Sequence, residues 1–208
     1  MAMEFPWAKL FKLAVDFLND SLIPTTDWTF GGGSALFYYF YHRESKDVDI
    51  FLTDAQYLTW LTPRLNSLIA KSTEDYVESA NFLKLQLTDG EIDFIIAPYF
   101  TADPYKKINL LGKEIQIETP WEIVLKKLFY RAQSLKVRDI VDVAVVYKNH
   151  RETLVRYAKG LGKKKEIIEK RFQNLIEIYP KEIENLKILD ESLKVDALNI
   201  LKKFLREI

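Results

Sequence analysis

The chain contains no cysteine among its 208 residues. A disulfide framework, a thiolate nucleophile and a cysteine-bound zinc ion are therefore all excluded. Histidine is scarce as well, and neither His42 nor His150 has a partner at the spacing of metal ligands, so we expect no zinc site. No run approaches the roughly 18 uninterrupted apolar residues that a membrane-spanning helix needs, and residues 1–6 lack the charged-then-apolar order of a signal peptide. We therefore expect a cytoplasmic protein with no membrane partner.

Three common enzyme motifs are also missing. No Gly-Lys-Ser/Thr follows the glycine-rich turn, which excludes a P-loop. There is no G-x-G-x-x-G, which argues against a dinucleotide-binding fold. There is no Gly-x-Ser-x-Gly, so nothing indicates a serine nucleophile for covalent hydrolysis. Apolar residues nevertheless make up 48% of the chain, which is enough for a sizeable hydrophobic core.

A run of three glycines, residues 31–33, precedes an aromatic-rich segment that begins at Ser34. Glycine has no Cβ and adopts positive φ readily, so these residues can form a tight turn whose backbone N–H groups converge on an anion. A helix beginning near Ser34 would favour the same anion through its N-terminal end. Most glycine runs are plain turns, so this feature alone does not identify a phosphate site.

Two aspartates alternate in the segment that follows. If residues 47–53 form a strand, the carboxylates of Asp47 and Asp49 point to one face while Val48 and Ile50 point to the other. Mg²⁺ prefers such hard oxygen ligands and commonly needs only one or two carboxylates besides phosphates and water. The intervening apolar segment is long enough for a short helix that returns the chain to the glycine turn. The alternative interpretation is a solvated strand face.

A third carboxylate, Asp93, lies in a β-rich pattern farther along the chain. Residues 82–87 and 92–96 read as two strands, and the Asp89-Gly90 dipeptide is a strong signal for a two-residue hairpin between them. In that register Asp93 faces Gln86. The alternative is an edge-strand charge, but an unpaired carboxylate inside an apolar strand is costly, and a metal ion is one of the few good compensations.

This order of a glycine turn, an Asp-x-Asp pair and a third acid on a neighbouring strand resembles the nucleotidyltransferase superfamily. A nearer resemblance is to its AbiEii/AbiGii toxin-like branch, whose motifs typically read Gly-Gly-Thr-Ala-Leu and His-Arg-x-Ser-x-Asp-h-Asp, where h is apolar. This chain has Gly32-Gly33-Ser34-Ala35-Leu36 and His42-Arg43-Glu44-Ser45-Lys46-Asp47-Val48-Asp49. It differs from the branch at Ser34, where threonine is common, and at Gly31, where lysine is frequent.

A second region is similar to the same branch. Residues 118–131 resemble its helix with a lysine before Tyr-Arg, and residues 138–143 resemble its Arg-Asp-h-x-Asp-h motif. The local sequence supports this helix independently, because Thr119 can cap it, Pro120 suits its first position and Glu122 can complete a capping box.

Charged residues of this second region have two interpretations each. The helix would place Lys127 near Arg131, on a face different from its apolar stripe. A solvated helix face is the ordinary interpretation of such lysines, whereas the resemblance implies a catalytic role for Lys127. The charged residues of the second motif either belong to the site or form a structural ion-pair cluster, and the sequence leaves this open for Arg138, Asp139 and Asp142.

The remaining periodicity predicts a fold of the α/β (α+β) class. We expect a mixed sheet of the nucleotidyltransferase type flanked by helices, followed by a C-terminal helical bundle. The predicted domains are a catalytic domain at residues 1–118 and a helical domain at residues 119–208. Further elements predicted from the pattern are helices at 6–19, 34–41 and 55–70, strands at 28–30 and 114–117, and helical structure from 119 onward with breaks at 160–162 and at Pro180.

The resemblance implies a Mg²⁺-dependent enzyme that moves a nucleoside monophosphate from a nucleoside triphosphate to an acceptor hydroxyl. Two Mg²⁺ ions, with Mn²⁺ as an alternative, would be held by Asp47, Asp49 and Asp93. The triphosphate would be cradled by Gly32, Gly33 and Ser34, and Lys127 together with Arg43 would neutralise developing charge.

The resemblance also implies that tRNA or another RNA is the acceptor and that a cognate antitoxin exists. The net charge is zero, but residues 151–208 hold 14 Lys and Arg against 10 Asp and Glu, a net charge of +4. The segment Lys163-Lys164-Lys165 is a candidate RNA contact, although lysines on helices usually serve solubility. Two rival functions stay open: the same transfer to a small-molecule acceptor, and an inactive nucleotide-binding module.

Overall fold

The computed structural model describes residues 5–208; Met1–Glu4, on which part of the signal-peptide prediction rests, lie outside the described residues. The described residues contain eight α-helices and seven strands: four of the helices lie among the seven strands, and the other four follow in the C-terminal half. In chain order the elements are α1 (Ala8–Asp20), β1 (Trp28–Gly31), α2 (Gly32–Phe40), β2 (Val48–Leu52), α3 (Gln56–Leu61), α4 (Ser67–Ser72), β3 (Tyr76–Ser79), β4 (Phe82–Leu87), β5 (Gly90–Ile96), β6 (Tyr105–Leu110), β7 (Lys113–Glu118), α5 (Pro120–Tyr130), α6 (Val137–Ala158), α7 (Lys164–Glu182) and α8 (Ser192–Glu207).

All seven strands form one mixed sheet with the order β3-β4-β5-β2-β1-β7-β6. Strand β2 runs parallel to β5 and β1 runs parallel to β7, while the other neighbours are antiparallel. In β2 the side chains of Val48, Ile50 and Leu52 are buried, and those between them are partly exposed. This alternation follows the period of two that the sequence showed. The predicted mixed α/β fold class is confirmed.

The chain divides into two compact units. The first, called here the sheet unit, comprises residues 5–38, 45–99 and 105–118 of the described chain. The second, called the helical unit, comprises residues 39–44, 100–104 and 119–208. The helical unit therefore takes two short segments from before the predicted boundary at residue 118. The division into a catalytic domain at residues 1–118 and a helical domain at residues 119–208 stays a prediction.

The core of the sheet unit is built on helix α1. Its apolar positions recur at helical spacing, so one stripe of the helix is buried. Within that unit, the rings of Trp7 and Phe11 both pack on Phe30 of β1, with centroids 5.1 and 4.8 Å away. The buried stripe consists of Leu10, Phe11, Ala14, Val15, Phe17 and Leu18.

In the sheet unit one predicted helix needs correction, and two strands were not predicted. The helix predicted at 55–70 is two short helices, because Pro63 cannot continue a helix and the chain re-enters helix only after Asn66. The side-chain oxygen of Asn66 accepts a hydrogen bond from the N–H of Ile69 at 2.9 Å and caps α4. Strands β3 and β6 were not predicted, since most of their side chains are exposed and their sequences lack an apolar alternation.

The helical unit contains α5 to α8 and the segment 39–44. That segment is bound by backbone hydrogen bonds, because the N–H of Leu189 donates to the carbonyl of His42 at 2.8 Å. Helix α6 is kinked at His150, whose φ is −137°. The predicted break at 160–162 is confirmed, but α7 runs through Pro180 to Glu182, so the predicted break there is wrong. Proline has a helical φ and removes only one helical hydrogen bond near this helix end.

No helix among residues 5–208 is both long enough and apolar enough to cross a membrane.

Candidate active site

The glycine run forms a strand-to-helix turn in the sheet unit. Of the three glycines, all within the described residues, only Gly32 has positive φ, at +67°. Gly31 ends β1 opposite Asp49 of the antiparallel strand β2, so the turn at Gly32 lies against this carboxylate. A β-carbon added to Gly32 would lie 1.8 Å from Oδ2 of Asp49. The turn therefore needs glycine both for its backbone conformation and for space.

Asp49 and Asp93 are direct neighbours across the parallel strands β2 and β5. Both are partly exposed, and the side chain of Asp93 is 19% exposed. Burial, followed by the nearby charge of Asp49, raises the pKa of Asp93 to about 6. Two carboxylates so close to each other repel, which makes this pair a place where a cation would be stabilised.

The third strand at this site contributes a lysine that sequence reasoning missed. The predicted hairpin register is wrong, because Leu87 pairs with Gly90 and the turn residues are Thr88 and Asp89. Asp93 consequently faces Lys84 rather than Gln86, and the ammonium of Lys84 lies 3.0 Å from Oδ2 of Asp93. The Asp-Gly signal had placed the turn one residue too late, which shifts every cross-strand pair by two residues.

Asp47 lies just before β2 and is held differently from Asp49. Its Oδ1 accepts a hydrogen bond from the N–H of Glu91 at 3.2 Å, and its carbonyl accepts one from the hydroxyl of Ser34. Ser34 is fully buried, as are the glycines before it. In residues 5–208 no three acidic or histidine side chains lie close enough together to form a metal cluster. The structure thus brings Asp49 and Asp93 together, without Asp47 completing a ready-made triad.

Arg43 lies in the helical unit, in a buried ion cluster. Its Nε and Nη2 donate to the two carboxylate oxygens of Asp142 at 2.7 and 2.8 Å, and Nε2 of His42 lies 2.8 Å from Oδ1. Burial alone would raise the pKa of Asp142, but the charges of Arg43 and Lys127 outweigh it and hold that pKa well below its usual value. This bidentate geometry is among the strongest ion-pair arrangements in proteins.

Lys127 belongs to the same cluster. Its ammonium lies 3.1 Å from Asp142 and 3.3 Å from Asp139, and Arg131 reaches Asp139 at 3.4 Å. Lys127 and Arg131 thus share Asp139 as a partner, which is consistent with their predicted proximity. Asp139 and Asp142 join the ion-pair cluster that the sequence had left open, whereas the buried Nε of Arg138 has no hydrogen-bond partner within the described part of the chain.

The predicted capping box of α5 is wrong, although Pro120 does occupy its first position. The hydroxyl of Thr119 donates to the carbonyl of Asp103 at 3.1 Å instead of capping the helix. The buried carboxylate of Glu122 accepts from the N–H groups of Phe100 and Thr101, each at 3.0 Å. Glu122 is used to hold a loop that passes the helix, which no local sequence signal revealed.

Comparison with protein families shows which family the chain belongs to. Residues 17–207 match the family model described as "Nucleotidyl transferase AbiEii toxin, Type IV TA system". The chain belongs to this family. It is a nucleotidyltransferase, and the resemblance drawn from the glycine turn and the paired aspartates is confirmed.

The solved structures that are similar to this AbiEii family member have low sequence identity to it. A protein described as a nucleotidyltransferase from H. pylori has 14% identity and a TM-score of 0.49, with 99% of this chain and 97% of that chain covered. ANT(2")-Ia in complex with adenylyl-2"-tobramycin has 13% identity and a TM-score of 0.43, covering 80% and 99%. An antigenic nucleotidyltransferase-like protein from Paracoccidioides brasiliensis has 16% identity and a TM-score of 0.38, covering 76% and 90%. No curated protein matches the chain.

The residues of this AbiEii enzyme fit a divalent cation at the Asp49 and Asp93 pair. Oδ1 of Asp93 is buried and accepts no hydrogen bond from the part of the protein that the structure describes. A buried carboxylate oxygen without a donor is costly, and a cation beside it would remove that cost. Carboxylate oxygens are also the ligands that Mg²⁺ and Mn²⁺ prefer.

Proposed function

We propose that the enzyme transfers a nucleoside monophosphate from a nucleoside triphosphate to an acceptor hydroxyl, and that transfer requires Mg²⁺ or Mn²⁺. The observation that carries this proposal is the Asp49 and Asp93 pair beside the Gly32 turn. A triphosphate brought to this pair without a cation would meet two negative charges. Nucleotide and metal are therefore expected to bind together.

Within this proposal, Asp49 and Asp93 hold the cation. When bound, the cation neutralises phosphate charge and lowers the pKa of the acceptor hydroxyl. Asp93 is also proposed to accept the hydroxyl proton as a general base. Asp47 adds a further ligand if its hydrogen bond from Glu91 opens, which would complete the predicted set for two ions.

The phosphates are proposed to bind at the start of α2. This nine-residue helix begins at Gly32, so its first N–H groups have no partner within the helix and can bind an anion. Gly32 and Gly33 contribute through their backbone, whereas the buried hydroxyl of Ser34 acts by fixing the Asp47 segment. Lys127 and Arg43 remain proposed phosphate contacts, although Asp139 and Asp142 already balance their charges.

RNA is the proposed acceptor, supported by the toxin description of the family and the basic C-terminal part of the chain. The predicted contact through Lys163-Lys164-Lys165 would compete with interactions that two of these lysines already form. The ammonium of Lys164 lies 4.8 Å from the centre of the Phe129 ring, and that of Lys165 donates to the carbonyl of Ile208 at 2.5 Å. A cavity of about 820 Å³ at the α6 kink is a second basic surface, with the cations Lys148, Arg151, Arg156 and Lys159 against the acids Glu152 and Glu207.

A cognate antitoxin is the proposed protein partner. The support is the family description, which names a toxin of a type IV toxin–antitoxin system. Co-expression of the gene with its immediate neighbours tests this partner. A neighbour that restores growth to cells expressing this enzyme would identify the antitoxin, and growth unaffected by the enzyme alone would argue against toxicity.

Transfer is tested by incubating the enzyme with each labelled nucleoside triphosphate, Mg²⁺ and total cellular RNA, followed by a denaturing gel. We expect label on bands of tRNA size, and none with a chelator or with the Asp49→Asn variant. Asp54→Asn, which changes an exposed carboxylate of the same unit, is the matched control and should retain transfer. Transfer that survives in chelator would overturn the metal requirement, and label on a small molecule alone would identify the rival acceptor class.

A further inference from the structure

Lys84 occupies a position beside the proposed metal site that no motif of the sequence had indicated. It lies on β4 directly opposite Asp93 on β5. Its ammonium donates to Oδ2 of Asp93 at 3.0 Å and also contacts Oε2 of Glu91. The Lys84 side chain is only 28% exposed, so the pair with Asp93 is screened less than a surface ion pair.

The two carboxylate oxygens of Asp93 have different surroundings. Oδ2 is held by Lys84, whereas Oδ1 is buried and has no hydrogen-bond partner among residues 5–208. Because a carboxylate is planar, fixing one oxygen restricts the direction in which the other points. Asp49 is the neighbour of Asp93 on the adjacent strand β2. Asp93 therefore has the positively charged Lys84 on one side and a second acid, Asp49, on the other.

Lys84 is itself held in place by its neighbours. Glu91 accepts a hydrogen bond through Oε1 from Nε2 of Gln86 at 2.8 Å, while its Oε2 contacts the ammonium. Gln86 and Glu91 are a cross-strand pair, as are Lys84 and Asp93. Four side chains of one hairpin thus form a chain of contacts, Gln86 to Glu91 to Lys84 to Asp93, that ends at the proposed ligand.

We infer that Lys84 is a positioning residue of this enzyme: its ammonium holds Oδ2 of Asp93 so that Oδ1, together with Asp49, is presented to a divalent cation. This inference rests on the proposed metal site. Groups that orient a metal ligand typically change metal affinity by about 10-fold to 100-fold when they are removed.

A positioning role and simple electrostatic repulsion predict opposite changes in cation affinity when Lys84 is replaced by a neutral residue. If Lys84 only repelled an incoming cation, replacing it by a neutral residue would strengthen cation binding. If it positions Asp93, the same replacement frees the carboxylate to rotate or to point Oδ1 away, and cation binding weakens. Cation affinity measured without nucleotide therefore separates the two.

The test is Mn²⁺ binding to the full chain, measured by titration with electron paramagnetic resonance of free Mn²⁺. We expect Lys84→Met to raise the Kd about tenfold or more, and Lys84→Arg to restore most of the affinity because it keeps a charged donor. Lys84→Gln, which keeps a donor without the charge, is a second neutral variant should Lys84→Met unfold. Thermal denaturation of each variant reports whether it is folded.

Lys9→Met is the matched control. Lys9 also pairs with an aspartate of the sheet unit, Asp89, but this pair is exposed and the acid is not a proposed ligand. Its removal should leave the Kd unchanged. If folded Lys84→Met and Lys84→Gln bind Mn²⁺ as tightly as the unchanged chain or more tightly, while Asp49→Asn abolishes binding, the positioning role is overturned and the metal site stands. If the unchanged chain itself binds no Mn²⁺, the metal site and this inference both fail.

Discussion

Gly32 is in contact with the carboxylate of Asp49, and the two residues leave no room for a methyl group between them. This relationship predicts that Gly32→Ala destabilises the protein through two separate effects. Positive φ costs a residue other than glycine roughly 1 to 2 kcal/mol, and displacement of the Asp49 side chain adds to that. We therefore expect a loss of more than about 2 kcal/mol in the free energy of unfolding, measured by urea denaturation.

Gly112 offers a control that separates the two effects. Its φ is also positive, at +82°, but a β-carbon added there would meet no atom within 4 Å. Gly112→Ala should therefore show the conformational cost alone. The double variant Gly32→Ala with Asp49→Ala should recover only part of the difference between the two glycines, because the β-carbon of Asp49 would itself lie 2.7 Å from the added atom. Equal losses at Gly32 and Gly112 would refute the steric contact.

Removing the charge of Asp49 should lower the pKa of Asp93. In the unchanged protein this pKa is about 6, above the ordinary value of 3.8, so the favourable contribution of Asp93 to stability is complete below about pH 4 and is lost as the pH rises through 6. In Asp49→Asn less of this stability should be lost as the pH rises. Above pH 6 the variant should therefore be more stable than the parent by roughly 1.4 kcal/mol for each unit by which the pKa of Asp93 falls. Carbon-detected NMR titration of Asp93 and urea denaturation at several pH values measure both quantities in metal-free buffer. A pKa unchanged by the substitution would show that burial alone raises it.

Arg43→Ala should be strongly destabilising. It would leave Asp142, which is fully buried, without its bidentate partner, and breaking a buried pair on one side costs roughly 3 to 5 kcal/mol. Arg64→Ala is the matched control, because Arg64 pairs with Glu78 at 2.6 Å but is 65% exposed; its loss should stay below about 1 kcal/mol. Urea denaturation compares them. Similar losses for both arginines would mean that the buried cluster contributes little to folding, and Arg43 would then be better explained as a phosphate contact.

Chelation should weaken binding of the nucleotide. Titration calorimetry of a non-hydrolysable nucleoside triphosphate is expected to give a much lower affinity in chelator than in Mg²⁺, because the phosphates would face the uncompensated Asp49 and Asp93. In chelator, Asp49→Asn should bind the triphosphate more tightly than the parent does, since it removes one of the repelling charges. Equal affinity of the parent with and without metal would contradict a metal-bridged site.

Local patterns of the sequence predicted the parts of this enzyme that depend on neighbouring residues. The glycine turn, the strand of Asp49 and the start of α5 at Pro120 each have a signal within a few residues. Contacts between distant segments had no such signal. Arg43 and Asp142 are 99 positions apart, and nothing in either segment specifies the other.

The position of Lys84 shows how a small error in a local feature changes a site. The Asp-Gly signal correctly indicated a hairpin but not which two residues form its turn, and the resulting register placed Gln86 opposite Asp93. Two residues of displacement keep every side chain on its predicted face, so the apolar pattern could not reveal the error. Only the cross-strand partner changed, and with it the chemistry beside the third carboxylate.

The helical unit incorporates residues 39–44, and this limits how the enzyme can be divided in evolution. A gene segment beginning at Thr119 would encode α5 to α8 but not Arg43 or His42, and the encoded polypeptide would bury Asp142 without either of them. Recombination that exchanges only the C-terminal helices between relatives should therefore yield chimaeras that fold poorly. Viable chimaeras would have to inherit the loop before β2 from the same parent as the helices.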